Sequence, residues 1–359
     1  MSRAPRGLIN LSALSHNYHV IKKAAPNSCI MSVVKSNGYG HGLLRVARAL
    51  EQTDAYAVAC IDEAIQLRQA GFAQTIVLLE GFHEADELEI ICEMGFELVL
   101  HHEWQLDALI AYACQWPQRI WVKLDTGMGR IGFSTDKVLM ILERLLSANQ
   151  FEAENIGWMT HLANADDRND QQTVHQLERF ESALEGVAGP RSIANSAGTL
   201  GWPKTHADWV RPGLALYGAS PFVDGLPCEY PLKPVMTLKS KLMSIRRFSK
   251  GDRVSYGGTW ECPEAMPIGI VAIGYGDGYP RHAQTGTPVL INGVRVPIVG
   301  RVTMDMICVD LRELPDAKIG DEAVLWGEGL PAEEIAGHCN TISYELFCKL
   351  TARVQFEEC

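Results

Sequence analysis

Short runs of β-branched and apolar residues recur through the first two-thirds of the chain, and between them apolar positions fall three and four apart. The runs are Ile30–Lys35, Ala55–Ala59, Thr75–Leu79, Glu97–Leu100, Ile120–Leu124, Ile156–Leu162, Ser192–Asn195 and Trp209–Arg211. Among the intervening segments, Ile61–Ala70 sets Ile61, Ala64, Ile65 and Leu67 on one stripe and stops at Gly71, the pattern of an amphipathic helix. Ser12–Ala24 predicts the first helix, with Ser12 as its N-cap. Strands alternating with helices predict a parallel sheet, and a count of eight favours a closed (β/α)8 barrel of the TIM type over an open doubly wound sheet.

After about Pro231 the texture changes. Thr237–Ser244, Ile268–Ile273, Pro288–Ile291, Val294–Val299 and Met304–Asp310 read as strands without long helices between them. Asn292-Gly293 separates two of them, a pair suited to the positive φ angles of a tight hairpin turn. The chain therefore divides into an α/β barrel over residues 1–230 and a C-terminal β-rich domain over 231–359. Arg6–Leu11 is a candidate strand lent to the second domain.

Composition narrows the function. With 47% hydrophobic and 21% charged residues, the 359-residue chain is an ordinary globular protein. A formal charge of −11 repels phosphate backbones and anionic membranes, so nucleic acid is not an expected partner. No apolar run approaches the roughly 18 residues of a membrane span, and the opening Met-Ser-Arg-Ala-Pro-Arg-Gly lacks the apolar core of a signal peptide. A soluble, cytoplasmic protein is expected. The 10 cysteines include no Cys-x-x-Cys pair and read as reduced, mostly buried thiols.

Candidate chemistry gathers at the predicted strand ends, which face the active site of a barrel. Lys35 closes an apolar strand just before Ser36-Asn37-Gly38-Tyr39-Gly40-His41-Gly42. Low-dielectric walls lower the pKa of such a lysine, and a neutral amine can form a Schiff base; the plainer reading is a lysine reaching solvent. After the fifth strand, Lys123-Leu124-Asp125-Thr126-Gly127-Met128-Gly129-Arg130-Ile131-Gly132 contains a formal Gly-x-Gly-x-x-Gly. A dinucleotide site would need an acidic residue about 20 positions on, where Ser147–Gln150 stands, so the loop reads as a frame for Arg130. His161, Asn195-Ser196 and Arg211-Pro212-Gly213 end the last three runs. Each has a bland role as core histidine, turn residue or surface ion-pair donor, but five such ends converging on one mouth suggest a site. His101, His102 and Glu103 are consecutive, so on a strand they would point to opposite faces, and no metal is assigned.

Together these motifs resemble the bacterial alanine racemase family, pyridoxal 5′-phosphate enzymes with an (α/β)8 barrel and a β domain. The resemblance spans nearly the whole chain, in order. It rests on Lys-x-Asn-x-Tyr-Gly-His-Gly from Lys35, Lys-x-Asp-Thr-Gly-Met-Gly-Arg from Lys123, Arg-Pro-Gly-x-x-x-Tyr-Gly from Arg211, Ser-Tyr-Gly from Ser255, Gly-Tyr-Gly-Asp-Gly from Gly274 and Met-Asp from Met304.

The resemblance implies that Lys35 holds the cofactor as an aldimine and is one base, with Tyr256 of a second subunit in a homodimer as the opposing base. It assigns Arg211 to the pyridine nitrogen and His161 to a link between Tyr256 and Arg211. Tyr39, Asn195, Ser196, Gly213, Leu214 and Tyr344 are placed around the cofactor, mostly at its phosphate. Arg130 and the backbone of Met304 match the substrate-carboxylate site, and Lys123 matches a lysine often carbamylated. Asp166, Tyr275, Arg281 and Arg301 match entrance residues. Ser36, Gly38 and Thr303 depart from alanine, alanine and cysteine common in the family, positions that bear on substrate tuning rather than reaction type. The expectation is alanine racemisation for peptidoglycan or catabolism, with serine or another small amino acid as a minor substrate. A decarboxylase of related fold would pair the pyridine nitrogen with a carboxylate where Arg211 stands, and a single-barrel cofactor-binding protein would lack the domain carrying Tyr256.

Overall fold

The computed structural model describes residues 4–112, 116, 118–223 and 230–359. They form two compact units, one of residues 4–14, 217–219 and 233–359, the other of the described residues within 15–216 and 220–232.

In chain order, β1 (Arg6–Ile9) is followed by β2 (Cys29–Val33), β3 (Ala55–Val58), β4 (Thr75–Leu78), β5 (Glu97–Leu100), β6 (Ile120–Lys123), β7 (Ile156–Met159), β8 (Arg191–Ser192) and β9 (Trp209–Val210). Strands β2 to β9 pair in parallel with their neighbours, and β2 closes on β9 to complete the barrel. They are buried along nearly their whole length, as strands covered on both faces must be. Gly157 leaves the space that the Trp121 ring fills, since a Cβ there would meet that ring. At the N-terminal end of the barrel, Trp121 Nε1 donates to the buried Glu97 carboxylate at 2.7 Å.

All eight expected barrel strands are present, but several stop early. β2 ends at Val33 rather than Lys35, β7 at Met159 rather than Leu162, β8 at Ser192 rather than Asn195 and β9 at Val210 rather than Arg211. At the mouth, side chains take over the ladder's carbonyls. Arg211 donates to Thr160 and Ile193, Gln176 to His161, and Asn195 to Leu162.

Other local expectations are corrected. The helix Leu11–Ala24 is capped by Asn10, whose Oδ1 accepts the Ala13 N–H at 2.9 Å, and not by Ser12, which donates to the same oxygen. His101 and His102 follow the end of β5, and His102 caps the helix Glu103–Ala111. Helix Ile61–Gln69 buries Ala64 and Leu67, while Ile61 and Ile65 are half-buried. Of the eight described cysteines, only Cys262 and Cys339 are buried, and Cys348 and Cys359 are exposed; Cys114 and Cys228 lie outside the described residues.

The second unit contains β10 (Met236–Phe248), β11 (Arg253–Val254), β12 (Trp260–Glu261), β13 (Met266–Val271), β14 (Pro288–Ile291), β15 (Val294–Pro297), β16 (Ile307–Asp310), β17 (Glu322–Trp326) and β18 (Gln355–Glu358). Its main sheet runs β15-β14-β17-β10-β1-β18, with β13 on β10 and β16 on β13. β10 serves both parts because it is 13 residues long and bulges between Leu242 and Ser244. β1 is therefore a strand of this unit. Asn292 and Gly293 have φ of 49° and 79° and close the β14–β15 hairpin. β16 begins at Ile307 instead of Met304, because Thr303 and Met306 bond each other across a turn. β11, β12, β17 and β18 have no counterpart among the strands expected from sequence.

Candidate active site

After β2 the chain turns left-handed. Ser36, Asn37, Gly38 and Tyr39 have φ of 54°, 54°, 59° and 50°, a conformation costly for the three that are not glycine. Gly38 is required for packing as well, since a Cβ there would lie 2.9 Å from Val46 Cγ2. The fully buried His41 pins the turn, with Nδ1 2.8 Å from the Tyr39 carbonyl and 3.1 Å from the Gly38 carbonyl. Burial lowers its pKa to about 4, so the ring is neutral at neutral pH and Nδ1–H donates to these carbonyls. Lys35 is thereby left half-buried at the strand end, and Tyr39 is buried against Gly213.

The Tyr39 hydroxyl stands 2.5 Å from where a Gly213 Cβ would be, so only glycine admits it. Ser196, the first residue of helix Ser196–Gly201, is fixed beside them. Its Oγ accepts the N–H groups of Gly213 at 2.9 Å and Ala215 at 3.2 Å, which leaves the hydroxyl hydrogen to donate elsewhere. Asn195 caps that helix through Oδ1, which accepts the Gly198 N–H at 2.9 Å. Leu214 heads the turn Leu214–Tyr217, where a first N–H has no partner within the turn. Two hydroxyls and a backbone N–H thus supply donors of the kind an anion accepts.

Arg211 is buried, with Nη1 2.6 Å from Ser192 Oγ and Nη2 bonded to the Thr160 and Ile193 carbonyls and 3.4 Å from His161 Nδ1. Burial lowers its pKa to about 9, so it remains a cation at neutral pH. His161 is held well below its ordinary pKa by burial and by Arg211, Lys123, Arg130 and Lys35, and its neutral ring can accept from Arg211. Buried Lys123 is brought down to about 7 by burial and the charges of Arg211, Arg130 and Lys35, with Glu80 acting in the opposite direction. The mouth therefore concentrates positive charge in a chain whose formal charge is −11.

The glycine fingerprint after β6 serves a turn. Asp125 Oδ1 accepts the N–H groups of Gly127, Met128 and Gly129 at 2.9, 3.0 and 3.1 Å. Burial raises the Asp125 pKa, but these bonds more than offset it and leave it lowered. Gly127, Gly129 and Gly132 all have positive φ, and Arg130 is exposed on the loop they shape. Asp166, also on the barrel unit, accepts the Val223 N–H at its carbonyl.

The remaining expected site residues belong to the β unit. Tyr256 is 71% exposed and Met304 51% exposed, both large for such side chains. Ser255 Oγ donates to the Arg301 carbonyl at 2.7 Å, and a Cβ on Gly257 would lie 3.0 Å from Arg301 Nη1, so Arg301 rests against the turn bearing Tyr256. Tyr275 and Arg281 line a groove of about 240 Å³ with Thr341 and Leu346. Tyr344 lies on the helix Ser343–Cys348. The bracing work of His41 and Asp125 was not expected from sequence, where the signal is a histidine or aspartate embedded among glycines.

A closed parallel barrel with a cationic, hydroxyl-lined mouth, continuous in one chain with a mostly antiparallel β unit, is the architecture of a two-domain α/β enzyme. The alanine racemase N-terminal domain matches residues 9–221 and the alanine racemase C-terminal domain residues 235–357. The chain is 52% identical to the alanine racemase of Halorhodospira halophila over 99% of this chain and 98% of that one. The biosynthetic alanine racemase of Pseudomonas aeruginosa superposes with a TM-score of 0.96 at 42% identity, covering 99% of both chains. That of Bartonella henselae, whose crystal structure has covalently bound pyridoxal phosphate, superposes with a TM-score of 0.90 at 28% identity over 99% of both chains. The chain belongs to the alanine racemase family of isomerases.

Proposed function

We propose that this protein interconverts L- and D-alanine with pyridoxal 5′-phosphate held at the barrel mouth, and that each site is completed by Tyr256 from a second copy of the chain in a homodimer. The observation that carries the reading is the meeting of the Tyr39 and Ser196 hydroxyls at Gly213, two residues after Arg211. These residues fit the cofactor. The Tyr39 and Ser196 hydroxyls and the Leu214 N–H suit its phosphate dianion, with Tyr344 and Gly213 completing that end and Asn195 fixing Ser196. Lys35 suits its aldehyde, and Arg211 its ring nitrogen. When bound, the cofactor supplies an electron sink that acidifies the substrate Cα–H.

The residues then divide the proton work. Racemisation removes the α-proton from one face and returns one to the other, which suits two bases on opposite sides. Lys35 Nζ is the base for one face and the Tyr256 hydroxyl for the other. His161, linked to the Arg211 cation, would orient the Tyr256 hydroxyl for that transfer. Arg211 stays protonated near neutrality, so it donates to the ring nitrogen without giving up its proton.

Arg130 and the Met304 N–H would hold the substrate carboxylate, and Asp166, Tyr275, Arg281 and Arg301 would screen entry for small amino acids. Lys123, partly neutral at pH 7, is suited to form a carbamate that would pair with Arg130. The described residues include no helix long and apolar enough to cross a membrane. With the biosynthetic enzyme of P. aeruginosa among its structural relatives, the proposed role is D-alanine supply for peptidoglycan in the cytoplasm.

Mixing two inactive parents tests the shared site. Lys35→Ala and Tyr256→Phe dimers, each shown to bind cofactor and exchange subunits, should form half hybrids, each with one intact site. Activity should recover to about a quarter of wild type. Hybrids that form but remain at the parental baseline would exclude a Tyr256 shared between subunits.

A further inference from the structure

Two glycine-marked loops of the β unit carry Tyr275 and Met304, and they are laced together along their backbones. The Tyr275 N–H donates to the Thr303 carbonyl at 3.0 Å and the Gly276 N–H to the Met304 carbonyl at 2.8 Å. Gly274 and Gly276 permit this approach. A Cβ on Gly274 would fall on the Thr303 and Met304 carbonyls, and one on Gly276 would collide with the Arg353 guanidinium.

Arg353, from a segment remote in sequence, spans both loops. Its Nε lies 3.1 Å from Asp277 Oδ1, and its Nη2 donates to Asp305 Oδ1 at 2.5 Å. Asp277 has no exposed surface, and its other oxygen accepts the Gly274 N–H at 3.0 Å, so its carboxylate braces the tyrosine loop from inside. Thr351 anchors the same segment, donating from Oγ1 to the Gly276 carbonyl at 3.0 Å and from its N–H to the Asp277 carbonyl at 3.2 Å. A planar guanidinium held by carboxylates at two edges fixes the spacing between them, which a flexible ammonium does not.

We propose that Arg353 is a positioning residue for racemisation, locking the Tyr275 loop to the Met304 loop so that the Met304 N–H is presented to the substrate carboxylate. The inference rests on the assignment of Met304 to that carboxylate. Arg353 acts through Asp277 and Asp305. Its loss removes binding common to the ground and transition states, which raises KM and leaves kcat nearly unchanged.

The test uses the cofactor-loaded enzyme. Arg353→Met should raise KM for alanine at least tenfold and weaken inhibition by propionate, which retains the carboxylate but lacks the amine, by a similar factor. Cofactor absorbance and kcat should stay within about twofold of wild type. Arg353→Lys, which keeps the charge but not the two-edged geometry, should show a smaller rise, and it reads the same quantities if the methionine variant does not fold. A fall in melting temperature with KM and propionate inhibition unchanged would overturn the proposal, because it would show a structural role alone. Arg130→Ala run in parallel separates the two readings. A rise in its KM with none in either Arg353 variant overturns the lock alone; no rise in any of the three overturns the carboxylate assignment and the lock with it.

Discussion

The Tyr39 hydroxyl lies so close over Gly213 that an added Cβ would come within 2.5 Å of it. Gly213→Ala should therefore displace that hydroxyl and raise the Kd for pyridoxal 5′-phosphate at least tenfold, about 1.4 kcal/mol, with the far-ultraviolet circular dichroism unchanged. If the effect runs through Tyr39, the Tyr39→Phe and Gly213→Ala effects should be less than additive in the double variant. Fluorescence titration of cofactor-free protein measures all four affinities, and an unchanged Kd for Gly213→Ala would exclude Tyr39 and Gly213 from the phosphate site.

Lys123 should leave a mark on stability against pH. Its pKa in the folded protein, about 7, lies below the ordinary 10.5 because of burial and neighbouring cations. Between those values the unfolded chain binds more protons, so this lysine makes stability rise with pH over that window, by up to about 1.4 kcal/mol per pH unit. Below the folded pKa its charged form is fully destabilising. Urea unfolding of cofactor-free protein in carbon dioxide-free buffer should show Lys123→Met more stable than wild type near pH 7, with the gap narrowing toward pH 10. A gap constant across that range would contradict the assignment.

Arg211→Lys should be costly despite keeping the charge. A compact ammonium cannot span Ser192 Oγ, the Thr160 and Ile193 carbonyls and His161, and it leaves buried acceptors unpaired. The expected loss is about 2–4 kcal/mol in urea unfolding of the cofactor-free protein. A change below about 0.5 kcal/mol, the range of ordinary surface substitutions, would show that this network is not fixed by the guanidinium.

The barrel was legible because its strands are buried on both faces and read as uninterrupted apolar runs, and Asn292-Gly293 marked its hairpin because that turn needs two positive φ angles. The strand ends were less legible. Their carbonyls are satisfied by Arg211, Gln176 and Asn195, partners that sit 15 or more residues away in the chain. A glycine-rich turn after Lys35 was legible, but the left-handed backbone of Ser36, Asn37 and Tyr39 was not, because its support comes from His41 and local packing rather than from intrinsic preference. Lys35, His161, Ser196 and Arg211 stood out as candidates from their places after apolar runs. Arg353 was not, because it lies outside any glycine-marked loop and its work is defined by Asp277 and Asp305, 76 and 48 residues away. β18 escaped for a related reason, since Gln355–Glu358 is mostly polar and gains its strand character from pairing with β1.

The most direct measurement is the fate of the α-hydrogen. Purified enzyme loaded with pyridoxal 5′-phosphate and given L-alanine in deuterated water should yield D-alanine carrying deuterium at Cα, and D-alanine should likewise yield deuterated L-alanine. Chiral chromatography with mass spectrometry reads both. Absence of the opposite enantiomer under conditions where the cofactor is bound to Lys35 would contradict alanine racemisation.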